Sequence, residues 1–200
     1  MGSEQVFQPL TREDTVTVVL YRAGIVLSAI IITGLAYLLW AAPSSGTGDA
    51  SRYADFLVYG LYTSVGMSVF FIHLYIGKFK TFLKNLYFLG LGGLAALLFI
   101  GQGSLAGALV HAPSSALLLL PLSGCLGFIT AKEAFCFKLF EGYLLAMLMP
   151  FYLVLVASRA LSGQGVFFGL ALIATMLIIF TLRKVTMALA YDIGDKSAYQ

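Results

Sequence analysis

The densest chemistry in the chain is the run Lys132-Glu133-Ala134-Phe135-Cys136-Phe137-Lys138, followed by Glu141-Gly142. On a helix, Lys132 and Cys136 share a face at i,i+4, and Glu133 stands beside Cys136 at i,i+3. A neighbouring ammonium favours thiolate over thiol, so this spacing suits a reactive or metal-binding sulfur. His73 is expected on the same membrane side, within reach of Glu133, Cys136 and Glu141. One cysteine with two carboxylates is nonetheless a weak metal signature. An interfacial helix accounts for the same residues more simply. Its lysines snorkel to the headgroups, Phe135, Phe137 and Phe140 bury in lipid or protein, and Lys138 pairs with Glu141.

Elsewhere reactive groups are sparse. His73 and His111 are expected on opposite sides of the membrane and cannot share a ligand. Cys125 precedes Cys136 by eleven residues, or about 16 Å of helix, too far for a disulfide unless the helix breaks. Met147, Met149, Met176 and Met187 are scattered over different depths and trace no copper path. Gly194-Asp195-Lys196-Ser197 lacks the spacing of a phosphate-binding loop, and no zinc-protease helix or nucleophile elbow is present. Asp55 sits at the outer mouth of the second span, three residues from Arg52, where a local ion pair or simple hydration accounts for it. No catalytic, cofactor-binding or metal-ligating set is assigned, and the reading leans against enzymatic activity; a thiol or metal enzyme using Cys136 would require His73 or a carboxylate within a few ångströms of that sulfur.

The elements that position these residues follow from composition. The chain has 200 residues, 60% hydrophobic and 10% charged, with a mean hydropathy of +0.94. Soluble domains carry about 25% charged residues, so these side chains cannot cover a water-facing surface. Stretches near the ~20 residues of a membrane span fall at about 19–41, 54–76, 85–101, 116–134, 142–161 and 166–185. The expected fold is therefore all-α, a bundle of six transmembrane helices over 19–185. Polar tails flank it at 1–18 and 186–200. Thr11 and Asp14 have capping-box spacing, so a helix is expected to begin there and run into the membrane. Residues 77–84 form a basic turn, and 102–115 a loop. The glycine-rich third span and Pro121 in the fourth predict interrupted helices.

Charge placement supports the count. With both termini cytoplasmic, Arg12, Arg22, Lys78, Lys80, Lys84, Lys132, Lys138, Arg183, Lys184 and Lys196 lie inside, while Arg52 and Arg159 alone lie outside. The net charge of +3 is thus topological, and the absence of a basic run excludes a nucleic-acid partner. No ionisable residue falls near a midplane, which weighs against ion-coupled transport.

Small residues recur at helix-contact spacing: Gly24 and Ser28; Gly60, Ser64 and Ser68; Ser123, Gly127 and Ala131; Gly165 and Gly169. They serve packing within the bundle or docking of another membrane subunit.

The segment from Ala131 to Phe137 with Glu141-Gly142, and the ending Gly194-Asp195-Lys196-Ser197-Ala198-Tyr199, resemble an uncharacterised integral membrane family, a domain of unknown function found mainly in cyanobacteria. The resemblance extends over about residues 15–200. It implies a multi-pass protein of a bacterial inner or thylakoid membrane, and it brings no activity or catalytic residues.

Both motifs and the basic turn are expected on the cytoplasmic face. The leading expectation is a non-enzymatic interaction or assembly protein, docking another membrane protein or complex through Lys132, Glu133, Cys136, Glu141, Asp195 and Lys196, with His73 a weaker candidate. The alternative is a small passive transporter or channel for a neutral solute, with a polar cavity lined by residues such as Tyr62, Ser64, Ser123 and Thr130.

Overall fold

A computed structural model of the protein describes residues 11–41, 47–74 and 76–193. Thr11 opens α1 (Arg12–Ala41) with the reciprocal cap its spacing predicts. Asp14 N donates to Thr11 Oγ1 at 3.2 Å, and Thr11 N donates to the Asp14 carboxylate at 2.8 Å. The helix runs 30 residues unbroken, about 45 Å. That exceeds the hydrocarbon core by about 15 Å, so its first turns stand at headgroup level.

The second helix, α2 (Thr47–Phe71), stops short of the predicted residue 76. Ile72 and Leu74 in the following link are apolar because they pack into the core, not because they continue the helix. The predicted basic turn at 77–84 is the start of α3 (Gly77–Ile100).

The loop expected at 102–115 is largely ordered into α4 (Leu105–His111) and a 3₁₀ segment (Pro113–Leu119). Two oxygens hold the start of α4. Ser104 Oγ accepts from Gly107 N at 3.0 Å, and Asp55 Oδ1 accepts from Ala106 N at 2.7 Å. Asp55 thus caps a helix instead of pairing with Arg52, because the orphan amides of a helix N-terminus offer a carboxylate better partners than water-exposed arginine.

Pro121 lies in the first turn of α5 (Leu120–Phe137), where its missing N–H costs nothing, directly after the 3₁₀ segment passes into α-helix, whereas the glycine-rich third span, expected to be interrupted, is one continuous helix. Lys138 ends α5 in the left-handed conformation at φ 55°. Then come α6 (Phe140–Ala157), α7 (Gly163–Val185) and the single turn α8 (Ala190–Ile193). Pro150 lies inside α6.

Six segments are long and apolar enough to cross a membrane: Arg12–Ala41, Ala50–Phe71, Gly77–Ile100, Pro113–Phe137, Phe140–Ala157 and Gly163–Val185. No strand occurs among the described residues. The fold is an all-α polytopic membrane protein. Its outward faces carry exposed Ile30, Phe56, Phe99, Phe151 and Leu182, which suits lipid and would aggregate in water.

Packing is most extensive between α1 and α2, α5 and α6, and α1 and α7. The core joins Tyr21, Ile25, Val65, Leu83, Ile129, Leu145 and Phe180. The small residues serve contacts within the bundle. A Cβ on Gly24 would lie 2.5 Å from the Ser64 carbonyl oxygen and 2.9 Å from Ser68 N, so α1 and α2 meet backbone to backbone there. Ser28 Oγ and Ser64 Oγ bond at 2.8 Å, and Ser68 Oγ donates to the Tyr21 carbonyl at 3.1 Å. Gly127 takes the same part against Ala146 of α6.

Candidate functional site

Lys132 and Glu133 lie in the last turns of α5, Lys184 in the last turn of α7, and Arg22 about 15 Å along α1. All four side chains converge with Asp192 of α8 into one buried charged cluster at the end of the bundle where the described termini lie.

Glu133 is fully buried, and both its oxygens are engaged. Oε1 accepts from Tyr21 OH at 2.6 Å and from Lys132 Nζ at 2.7 Å, while Oε2 faces Lys184 Nζ. The Lys184 ammonium also bonds Asp192 Oδ1 and stands 4.1 Å from the centre of the Phe137 ring, whose π face favours a cation. Asp192 Oδ2 accepts from Arg22 Nε at 2.6 Å. The remaining Arg22 nitrogens reach backbone oxygens at the end of α7: Met187 O at 2.6 Å, Ala188 O at 3.1 Å and Val185 O at 3.3 Å.

A helix ends with carbonyls that lack intrahelical partners. One arginine from α1 therefore satisfies the turn leaving α7 and pins α8 beneath it. Three cations against two carboxylates leave the cluster with one net positive charge. Lys132, the most exposed of these cations, is the one nearest solvent, with 14% of its side chain accessible.

The predicted candidates separate into four groups. Lys132 and Glu133 point inward, so Glu133 contributes no docking surface. Cys136 is exposed and free. Glu141 binds Arg183, whose Nη1 donates to both its oxygens at 2.7 and 2.8 Å, tying α6 to α7. The expected Lys138–Glu141 pair does not form, because the left-handed end of α5 intervenes and Arg183 faces Glu141 directly. Asp195 and Lys196 lie outside the described residues.

His73 does not join the acidic residues. Its Nε2 lies 3.2 Å from Thr17 Oγ1, and its Nδ1 is buried without a hydrogen-bond partner. No trio of His, Cys, Asp or Glu among the described residues is placed to hold a metal ion. Cys125 is buried, with its thiol 3.8 Å from the Leu83 carbonyl oxygen, and serves as a packing residue.

Burial pushes the His73 pKa below its ordinary value of 6.5, and the nearby Lys132 and Lys80 push the same way against Asp192 and Asp14. The unfolded chain thus binds a proton more readily than the folded one. The stability His73 contributes is complete above pH 6.5 and is lost as pH falls through the lower, folded value. Acidification from about pH 7.5 to about pH 5 is therefore expected to lower the melting temperature of the detergent-solubilised protein. His73→Gln, which keeps a hydrogen-bonding side chain without the titration, is expected to reduce that drop.

Tyr21, Arg22, Lys184 and Asp192 complete a site the sequence reading did not assemble. The usable signal was Arg22, an arginine inside an apolar helical run, since such a residue usually faces a partner within the bundle.

The profile of the family described as "Uncharacterized integral membrane protein (DUF2301)" matches residues 67–200. The matched part holds Lys132, Glu133, Lys184 and Asp192, while Tyr21 and Arg22 precede it. No curated protein and no solved structure matches the chain.

Proposed function

Since the chain belongs to this family of uncharacterised integral membrane proteins, we propose that it is a non-enzymatic interaction or assembly protein, docking a partner on the cytoplasmic face that carries its termini. One observation carries this reading. The buried cluster is closed upon itself, both carboxylates taken up by cations and Glu133 also by the Tyr21 hydroxyl, so it fixes the shape of this face instead of offering a free acid or base. Around it stand outward groups without such closure: Phe135 at 81% and Phe140 at 68% exposure, with the Cys136 thiol and Lys138 between them. In this reading Lys132 and Glu133 support the surface from within. Cys136, Glu141, Asp195 and Lys196 are the contacts.

Of the two cysteines only Cys136 is exposed, so it makes the test specific. A membrane-impermeant maleimide is expected to label the protein in inverted vesicles and not in sealed cells, with no labelling of Cys136→Ser. A photocrosslinker attached at Cys136 is expected to capture one defined partner in intact membranes, and Phe135→Glu to abolish the adduct. Labelling from the outside, or a crosslinking pattern identical in Phe135→Glu, would overturn the proposal.

A second reading, passive passage of a neutral solute, has the Tyr62 hydroxyl and Ser123 Oγ in its favour, both buried without hydrogen-bond partners. Osmotic swelling of proteoliposomes in glycerol distinguishes the two readings.

A further inference from the structure

Helix α3 begins on a run of cations that nothing in the bundle neutralises. The stretch 77–84 carries Lys78, Lys80 and Lys84, and no acidic residue occurs anywhere along the helix. Among the described residues none of these three lysines forms an ion pair. The other basic residues at this end of the bundle, Arg22, Lys132, Arg183 and Lys184, are all paired.

The arrangement runs against the local field. The N-terminal end of a helix is its positive pole and favours carboxylates over ammoniums. Lys80 and Lys84 stand four residues apart on one face, where like charges repel. Lys80 and Lys132 also act together on His73 as positive neighbours. The acids on the far side of that histidine are committed elsewhere. Asp14 caps α1 at Thr11, and Asp192 is held by Arg22 and Lys184. The anion that would balance Lys80 and Lys84 must therefore come from outside the described chain.

Depth selects the source of that anion. With its 24 residues α3 is about 36 Å long, so when centred it overhangs a ~30 Å hydrocarbon core by about 3 Å at each end. Lys84 lies about 10 Å along the helix from Gly77, which sets its Cα roughly 7 Å below the hydrocarbon boundary. A lysine at that depth extends its stem toward the headgroups. The Lys84 ammonium does so over Phe70, 5.6 Å from the ring centre. Phe82 and Phe88, exposed on the same helix, stand where acyl chains pass. A soluble acidic peptide would have to enter the headgroup layer to meet Lys84. A phospholipid already holds its phosphate there.

We propose that Lys80 and Lys84 form a binding site for the phosphate of one anionic phospholipid, in the leaflet at the end of the bundle where the described termini lie. A zwitterionic lipid presents the same phosphate together with a quaternary ammonium, which the lysine pair repels. The site uses none of the contacts assigned to the docking face around Cys136, and it stands whether or not a protein partner binds there.

Native mass spectrometry of the full chain in mild detergent tests it, with phosphatidylglycerol and phosphatidylcholine of identical chains as probes. Phosphatidylglycerol is expected to be retained about tenfold more strongly than phosphatidylcholine. The double variant Lys80→Gln/Lys84→Gln is expected to bring its retention down to the phosphatidylcholine level. Lys80→Arg/Lys84→Arg, which keeps both charges, should preserve it. Lys138→Gln removes an exposed lysine at the same end of the bundle and should also preserve it. Excess inorganic phosphate is expected to leave the lipid in place. Unchanged retention in the double glutamine variant, or equal retention of the two lipids, would overturn the proposal. So would an equal loss in Lys138→Gln, which would reduce the effect to net charge, or displacement by inorganic phosphate, which would make the ligand a free anion.

Discussion

Replacing Glu133 with alanine is expected to destabilise the protein by about 3–5 kcal/mol, read as a fall in the melting temperature of the detergent-solubilised chain. The carboxylate is fully buried and bridges Lys132, Lys184 and Tyr21. Its removal leaves Lys184, itself inaccessible, with Asp192 alone, and that carboxylate is already shared with Arg22. An uncompensated buried cation is what makes breaking such a pair costly. The effect therefore depends on which partner is left behind. Glu133→Leu combined with Lys184→Met removes both charges, and is expected to be markedly more stable than Glu133→Ala alone. A loss below about 1 kcal/mol for Glu133→Ala would mean that water or headgroups reach the cluster as they reach a surface pair.

Gly24→Ala is the second large effect. The added methyl meets the Ser64 carbonyl oxygen at 2.5 Å and Ser68 N at 2.9 Å. These are backbone atoms, so no side chain can swing aside. Helices α1 and α2 must separate, weakening the Ser28–Ser64 and Ser68–Tyr21 hydrogen bonds. A loss of about 1–3 kcal/mol follows from overpacking alone. Gly92→Ala is the matched comparison, because the same methyl there meets nothing within 4 Å. In a helix interior it is expected to be neutral or to stabilise by roughly 0.5–1 kcal/mol. Opposite signs from one chemical change, measured by the same unfolding assay, would establish that the Gly24 effect comes from the contact and not from the residue type.

The six spans were legible because membrane crossing is a property of segments. Length and apolarity suffice, and the rotation of each helix does not matter. The Thr11–Asp14 cap was legible for a similar reason, both partners lying within one turn. The site was not. Counting lysines and arginines treats Arg22 and Lys184 as flanking charges, and whether such a residue faces headgroups or the bundle depends on helix rotation. In the structure both face inward and find Asp192, a residue of what read as a polar tail. Lys138 and Glu141 are neighbours in sequence, yet the turn between α5 and α6 gives Glu141 to Arg183 instead. Asp55 likewise serves α4, an element with too few residues to announce itself in a hydropathy pattern.

The link between Arg22 and Asp192 also bears on the order in which the protein is made. The two residues are 170 positions apart, so at ordinary rates of synthesis Arg22 waits on the order of 10 to 30 seconds for its carboxylate. During that interval α1 is already in the bilayer, and its arginine must stay with headgroups or water. Emergence of Asp192 lets α8 dock and closes the cluster. A ribosome that stops before Asp192 leaves Arg22 and Lys184 without that anion, and the bundle loses the contact that seats α1 against the end of α7. Closure of the cluster is thereby coupled to synthesis of a single aspartate, which gives membrane quality control a physical difference between chains that stop before Asp192 and chains that include it.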